Sequence, residues 1–107
     1  MSTLTIGVLS RNNEKHISAL LDSIGNQTCK EFDLVIVDNG SDDATTQIIQ
    51  SFDFANLDVI KLRNVQDTSE ANGMKLLFQN SRSTYVSIVH GDDLLKPNYV
   101  QDVLELV

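Results

Sequence analysis

Cysteine is almost absent from this chain of 107 residues, since Cys29 is the single one. One cysteine can form no disulfide within the chain and cannot build a cysteine-rich zinc site. The composition therefore predicts a cytoplasmic protein. Long apolar runs are missing as well. None approaches the ~18–20 residues that a membrane span needs, and no basic start leads into an apolar stretch like that of a signal peptide. We expect no transmembrane segment.

Positive charge is scarce. Eight Lys and Arg stand against 15 Asp and Glu, which gives a net charge of −7 at pH 7. An acidic surface does not attract polyanions, so the charge disfavours duplex DNA and anionic membranes as partners, and we expect no nucleic acid. The proportions of 41% apolar and 21% charged residues are those of an ordinary folded protein. A chain of this length makes one domain, over residues 1–107, because single domains cluster at about 100–150 residues.

Apolar runs alternate with segments of helical periodicity. The runs at 4–9, 32–37, 57–62 and 85–89 are typical of strands, and the third partly alternates with polar residues, as at a sheet edge. This alternation predicts an α/β fold, a Rossmann-like three-layer sandwich of about four mainly parallel strands with helices on both faces.

Four apolar stripes at helical spacing predict the helices, and we expect all four to face the core. They are Ile17, Leu20, Leu21 and Ile24; Ile48, Ile49 and Phe52; Met74, Leu77 and Phe78; and Val100, Val103, Leu104 and Val107. Ser41 is the expected N-cap of the second helix, with Asp42 and Asp43 in its first turn. Pro97 suits the first turn of the fourth helix.

Polar clusters follow each predicted strand. They are Ser-Arg-Asn-Asn at 10–13, Asp-Asn-Gly-Ser-Asp-Asp at 38–43, Arg-Asn at 63–64 and His-Gly-Asp-Asp at 90–93. Ligands of open parallel sheets bind at the carboxyl ends of the strands, so these clusters are the candidates for chemistry. No G-x-G-x-x-G follows a strand, and no P-loop sequence is present. The sequence therefore lacks both the dinucleotide-binding motif and the P-loop motif for phosphate binding. A receiver domain is disfavoured because Ser10 and Arg63 stand where it needs acidic residues.

The paired carboxylates Asp92 and Asp93 are hard oxygen ligands suited to Mg²⁺ or Mn²⁺, which share their sites with substrate phosphates. Such an ion would also let an acidic protein hold a diphosphate. The same Gly-Asp-Asp sequence before a helix also forms ordinary turns with an N-cap. Spacing alone leaves both interpretations open.

Four segments, taken in their order along the chain, form a recognisable combination. They are Leu-Ser-Arg-Asn-Asn-Glu at 9–14, Ser-Ile-Gly-Asn-Gln-Thr at 23–28, Val-Asp-Asn-Gly-Ser-Asp-Asp at 37–43, and His-Gly-Asp-Asp at 90–93 followed by Pro97. Together they resemble the start of a family 2 glycosyltransferase with the GT-A fold. The resemblance covers essentially the whole chain but only the nucleotide-sugar-binding half of the family's domain. Asn39 replaces the second Asp of the family's Val-Asp-Asp-Gly-Ser, a mild change.

The resemblance implies a nucleoside-diphosphate sugar, linked to UDP, as the donor. It also implies an inverting, metal-assisted transfer to the hydroxyl of a glycan or lipid-linked acceptor in cell-surface polysaccharide biosynthesis. It implies nucleotide binding by Ser10, Arg11, Asn12, Asp38, Asn39, Gly40, His90 and Gly91, and metal binding by Asp92 and Asp93. Asp38 is expected to contact the base. The metal would stabilise charge on the departing nucleoside diphosphate.

Three departures from the family's pattern are larger than the change at Asn39. His90 replaces the first Asp of the metal motif, a position that often touches the ribose. The segment Glu-Ala-Asn-Gly at 70–73 lacks the Arg that would meet the diphosphate. The general base of the family is expected beyond Val107, so no catalytic residue is assigned within this chain.

Two other functions compete with a donor-binding half. One is a non-catalytic nucleotide-binding or protein-interaction module derived from the same fold. The other is a nucleotidyltransferase, although that class needs a glycine-rich loop after the first strand, and the residues at 9–12 contain no glycine. The predicted strand at 85–89 is expected to present an unpaired apolar edge, through which copies of the chain would form homo-oligomers.

Overall fold

A computed structural model describes residues 2–107 of the chain. Four strands alternate with four helices. In chain order they are β1 (Leu4–Ser10), α1 (Ile17–Gly25), β2 (Phe32–Asp38), α2 (Thr45–Ser51), β3 (Val59–Arg63), α3 (Glu70–Gln79), β4 (Tyr85–His90) and α4 (Tyr99–Leu106).

The strands form one sheet in the order β3-β2-β1-β4, and every pairing is parallel. β1 and β2 are central and carry near-continuous runs of Val, Ile and Leu, because strands covered on both faces have no polar side to show. β3 lies at an edge and has an alternating burial pattern, as the sequence predicted. β4 forms the other edge, and its oligomeric contact through that edge stays a prediction.

Helices cover both faces of the sheet, which confirms the α/β layered architecture. One core cluster joins alternate residues of β1 and β2 to α1, α2 and α4. The second cluster lies on the opposite face, where α3 alone packs with Leu77 on Val35 and Val37. The stripe of α1 is confirmed in full, since Ile17, Leu20, Leu21 and Ile24 are all buried.

Three expectations about the helices are wrong. Phe78 is 49% exposed, and Val107 is 52% exposed. On α3 it is Leu76, with Met74 and Leu77, that packs against the sheet. A single helix covers that face, so the flank of α3 that carries Phe78 has no neighbouring helix to pack on. Pro97 precedes the N-cap of α4, Asn98, rather than lying in the first turn.

The N-cap predicted for α2 is also wrong. The helix begins at Thr45 with Ala44 as its N-cap, so Asp42 and Asp43 lie outside it. The Ser41 hydroxyl instead accepts a hydrogen bond from the backbone N–H of Asn12 at 3.0 Å. Ser41 is therefore used to join two loops, and the helix starts one turn later.

The segment at 23–28, one of the four motif segments, has a structural role. Gln27 is buried between α1 and α4, where its Nε2 donates to the carbonyl oxygen of Lys96 at 2.7 Å. Its Oε1 accepts from the backbone N–H of Val100 at 2.9 Å. One amide thus fixes the start of α4 on the end of α1. No helix within residues 2–107 is long and apolar enough to cross a membrane.

Candidate functional site at the carboxyl edge of the sheet

The carboxyl ends of all four strands meet at one edge, because the sheet is parallel. Ser10 pairs with Asp38, Asp38 pairs with Arg63, and Leu9 pairs with His90 on the other side of β1. A cavity of about 340 Å³ opens there between the ends of β1 and β4 and the start of α3. Its lining residues are Leu9, Ser10, Arg11, Asn13, Asn39, Thr68, Glu70, His90, Gly91 and Asp92.

The floor of this cavity is a hydrogen-bonded turn after β1. Asn13 Oδ1 accepts from the Ser10 hydroxyl at 2.9 Å and from the backbone N–H of Arg11 at 3.0 Å. Gly91 lies directly against this turn. A Cβ on Gly91 would collide with the side chains of Asn13 and Ser10. Glycine is therefore required for β4 to bring the residues that follow it next to the β1 turn.

The loops after β1 and β2 are joined by a set of reciprocal hydrogen bonds. Asn12 has a φ of 52°, and its Oδ1 accepts from the backbone N–H of Asp42 at 2.8 Å. The backbone N–H of Asn13 donates to the Thr45 hydroxyl at 2.9 Å. Hydrogen bonds, first of all with the Thr45 side chain, also lower the pKa of Asp43. Neither Asn12 nor Gly40 lines the cavity; Gly40 has a φ of 77°, which makes the turn that leads away from β2.

Asp38 belongs to the framework of the site rather than to its surface. It is 2% exposed and does not line the cavity. One carboxylate oxygen accepts from the backbone N–H of Ser41 at 3.3 Å, and the other accepts from the Thr46 hydroxyl. Contact of Asp38 with a nucleotide base stays a prediction, and it requires the carboxylate to leave these partners.

Asn39 lines the cavity, but its amide group is used inside the protein. Nδ2 donates to the carbonyl oxygens of Thr68 and Ser69 at 3.0 and 3.1 Å. Oδ1 accepts from Asn64 Nδ2 at 2.8 Å. Asn39 therefore holds the loop before α3 against the end of β2. A carboxylate at this position has no proton to donate to either carbonyl, so replacement of the family's Asp by Asn is a structural change rather than a mild one.

The residues after β4 form an exposed turn. The backbone N–H of Asp93 donates to the carbonyl oxygen of His90 at 3.0 Å, and Asp93 Oδ2 accepts from the backbone N–H of His90 at 2.9 Å. Asp93 thus closes the turn and does not line the cavity, whereas Asp92 does. The two carboxylates that the sequence paired therefore occupy different positions.

Sequence reasoning included Asn13 in the candidate cluster after β1 but missed Glu70 and Thr68 as cavity residues. Glu70 is the first residue of α3, and its Oε1 lies 3.4 Å from His90 Nε2. Among residues 2–107 this is the single contact within 4.0 Å between nitrogen and oxygen atoms of a basic and an acidic side chain. The sequence Ser-Glu at 69–70 is typical of a helix start and could have indicated that α3 begins there. The sequence does not show that this start lies beside the ends of β1 and β2.

A divalent cation fits this donor set only in part. The described residues contain no cluster of three or more His, Cys, Asp and Glu side chains that could hold a metal ion. Mg²⁺ is commonly held by one or two carboxylates together with substrate phosphates and water. Asp92 can supply one such carboxylate at the cavity, so the residues fit an ion that is shared with a bound diphosphate.

A second cavity of about 450 Å³ lies at the opposite, amino edge of the sheet, lined by Asp33, Asp58 and Arg82 among others. It is larger than the first. However, ligands of parallel sheets bind at the carboxyl ends of the strands, where connecting loops can close around them. The cavity at the carboxyl edge is therefore the candidate site.

Comparisons with known proteins agree with this architecture. The sequence profile of glycosyl transferase family 2 matches residues 5–107. The chain is 30% identical over 105 residues to glycosyltransferase GlyA of Streptococcus pneumoniae, covering 97% of this chain and 15% of GlyA. It is 26% identical over 111 residues to the poly(ribitol-phosphate) beta-N-acetylglucosaminyltransferase TarS of Staphylococcus aureus, covering 100% of this chain and 19% of TarS.

Solved structures of S. aureus TarS share the fold. The structure of TarS 1–349 in complex with UDP superposes with a TM-score of 0.82 at 25% identity, over 98% of this chain and 31% of that one. The complex with UDP-GlcNAc gives a TM-score of 0.78 at 28% identity, over 98% and 30%. The present chain thus spans less than a third of these proteins, and the part it spans has the GT-A fold. The chain belongs to glycosyltransferase family 2.

Proposed function

We propose that this chain forms the donor-binding part of an inverting glycosyltransferase, which transfers a sugar from a nucleoside diphosphate to an acceptor hydroxyl. The observation that carries the proposal is the cavity at the carboxyl edge, where the ends of β1 and β4 bring Arg11, His90 and Asp92 together. The structural likeness to TarS bound to UDP and to UDP-GlcNAc supports a UDP-linked sugar as the donor.

Charge explains how an acidic chain holds this donor. Arg11 offers donors to phosphate oxygens, but the cavity also contains the carboxylates of Glu70 and Asp92. Asp92 would hold Mg²⁺ or Mn²⁺, and the charge of that ion would offset the repulsion between the carboxylates and the diphosphate. When bound, the ion supplies Lewis-acid stabilisation of the leaving diphosphate. Asp93 supports this arrangement by fixing the turn that presents Asp92.

The acceptor and the location belong to the same proposal. Relatives that include a minor teichoic acid biosynthesis protein of Bacillus subtilis support a glycan or lipid-linked acceptor in cell-surface polysaccharide synthesis. The single cysteine supports a cytoplasmic site of action. Transfer also needs a general base within hydrogen-bond reach of the attacking hydroxyl, and that role is assigned to no residue of this chain.

Calorimetric titration with UDP, with and without Mn²⁺, tests the proposal. We expect binding that Mn²⁺ strengthens by about 10-fold or more, since one carboxylate–metal–phosphate bridge contributes on the order of 1.4 kcal/mol or more. Asp92→Ala is expected to abolish the Mn²⁺ dependence. A matched control is Asp58→Ala, which removes an exposed carboxylate at the amino edge. Metal dependence that survives in Asp92→Ala contradicts the assigned position of the ion.

The alternative is a non-catalytic module derived from this fold. The observation that favours it is the loss of the family's first Asp at His90, together with the use of Asp93 within its own turn. A protein-interaction module predicts no heat of binding with UDP, GDP or other nucleoside diphosphates under either condition. The same titration therefore separates the two functions.

A further inference from the structure

His90 and Glu70 are in contact at the mouth of the cavity, although they belong to two elements that are distant in sequence. His90 ends β4 and Glu70 begins α3, and Nε2 lies 3.4 Å from Oε1. The side chains are 52% and 72% exposed. A polar contact between side chains this exposed adds little to folding stability, even where both are charged. Its position at the cavity mouth is therefore better explained by a contact with ligand than by a contribution to the fold.

The backbone that carries Glu70 is held in place by several hydrogen bonds. Asn39 binds the two carbonyl groups that precede it. The Ser69 hydroxyl caps α3 by accepting from the backbone N–H of Asn72 at 3.2 Å, and Asn72 Nδ2 donates to the carbonyl oxygen of Asp67 at 2.9 Å. Glu70 thus projects from a fixed first turn, which is the support that a recognition residue needs.

An ionised carboxylate only accepts hydrogen bonds, so the group it recognises must be a donor. A diphosphate has only acceptors at neutral pH and would be repelled. Ribose hydroxyls are donors, and carboxylates at the mouths of parallel sheets bind them in other nucleotide sites. Among the residues that line the cavity, Glu70 and Asp92 are the acidic ones. With Asp92 facing the metal-bound diphosphate, Glu70 is the carboxylate that remains for the ribose.

We propose that Glu70 accepts a hydrogen bond from the ribose 2′-hydroxyl of the donor nucleotide, and that His90 positions it by donating from Nε2 to Oε1. This inference rests on the proposed function. His90 then acts through Glu70. The carboxylate of Glu70, on α3, contacts the ribose in place of the acidic residue that is absent from the end of β4. The chain recognises ribose with two residues from two elements.

Competition between UDP and 2′-deoxy-UDP in the presence of Mn²⁺ tests this assignment. The wild-type chain is expected to bind UDP about 10-fold more tightly than 2′-deoxy-UDP, which corresponds to about one hydrogen bond to a charged group. Glu70→Gln and Glu70→Ala are expected to bring this ratio to about 2-fold or less, while 2′-deoxy-UDP keeps its affinity and its Mn²⁺ dependence. His90→Ala is expected to lower the ratio partly, and His90→Gln, which keeps a donor, to restore part of it.

Glu31→Gln serves as the matched control because it removes an exposed carboxylate away from this cavity. Its ratio is expected to equal that of the wild type. A UDP preference that persists in Glu70→Ala overturns the inference, as does a wild type that binds both nucleotides equally. In both cases Mn²⁺-dependent binding itself would still stand. Absence of any nucleotide binding to the wild type instead refutes the proposed function, and this inference with it.

Discussion

Two groups of motif residues lie at the same edge of the sheet and behave differently. The framework group consists of Asp38 and Asn39 at the end of β2, which are 2% and 4% exposed and whose side chains are hydrogen-bonded within the protein. Asp92 and Asp93 after β4 are exposed, and Asp92 makes no hydrogen bond through its side chain within residues 2–107. The framework group holds the loops of the site together, whereas Asp92 has its carboxylate free to contact a ligand. Membership of a motif therefore does not by itself indicate which residues touch substrate.

Asn39→Asp, in the framework group, is expected to have the largest effect on the free energy of unfolding. The variant restores the residue expected from the family's pattern but loses both donors to the carbonyl groups of Thr68 and Ser69. We expect a loss of about 3 kcal/mol in the free energy of unfolding near pH 7, since a buried carboxylate would face carbonyl oxygens. Urea denaturation of the variant and the wild type measures it.

The pH dependence of that loss follows from the same contacts. Burial and the two carbonyl oxygens raise the folded pKa of the introduced carboxyl above its usual value of about 3.9. The loss is therefore smallest below that value, where the carboxyl is protonated in both states, and grows as the pH rises to the folded pKa. A loss that is small and independent of pH would show that Asn39 does not hold the loop.

Asp38→Ala is expected to have the next largest effect. It leaves the buried N–H of Ser41 and the Thr46 hydroxyl without their acceptor. We expect a loss of about 2 kcal/mol, because hydrogen bonds to a charged acceptor are among the stronger ones. Thermal and urea unfolding measure it.

Asp92→Ala provides the contrast and the smallest effect. This exposed side chain is expected to change stability by no more than about 0.5 kcal/mol. If Asp92→Ala were as destabilising as Asp38→Ala, the division between the two groups of residues would be wrong.

Much of the fold could be predicted from the sequence. The runs of Val, Ile and Leu indicated the four strands, and the stripe from Ile17 to Ile24 indicated α1, because burial on a sheet imposes those patterns directly. The outward position of Phe78 could not be predicted. It depends on how many helices cover one face of the sheet, and periodicity carries no information about that.

The site could be predicted only as a set of loops. Strand order places Ser10, His90 and Asp92 at one cavity, and the sequence identified these residues correctly as neighbours. It could not show that Asp38 and Asn39 turn their polar groups inward, because the partners Thr46 and Thr68 are contributed by later elements. Glu70 was missed for the same reason, since its role arises from where α3 begins.

The central claim is that the cavity at the carboxyl edge, and not the larger one at the amino edge, takes a nucleoside diphosphate together with a divalent ion. Paramagnetic broadening by Mn²⁺ in the NMR spectrum of the chain, with UDP present, tests it most directly. We predict that the amide signals of Arg11, Glu70 and Gly91 broaden and that those of Asp33 and Asp58 do not. Broadening centred on Asp33 and Asp58, or no broadening that depends on UDP, would contradict the account.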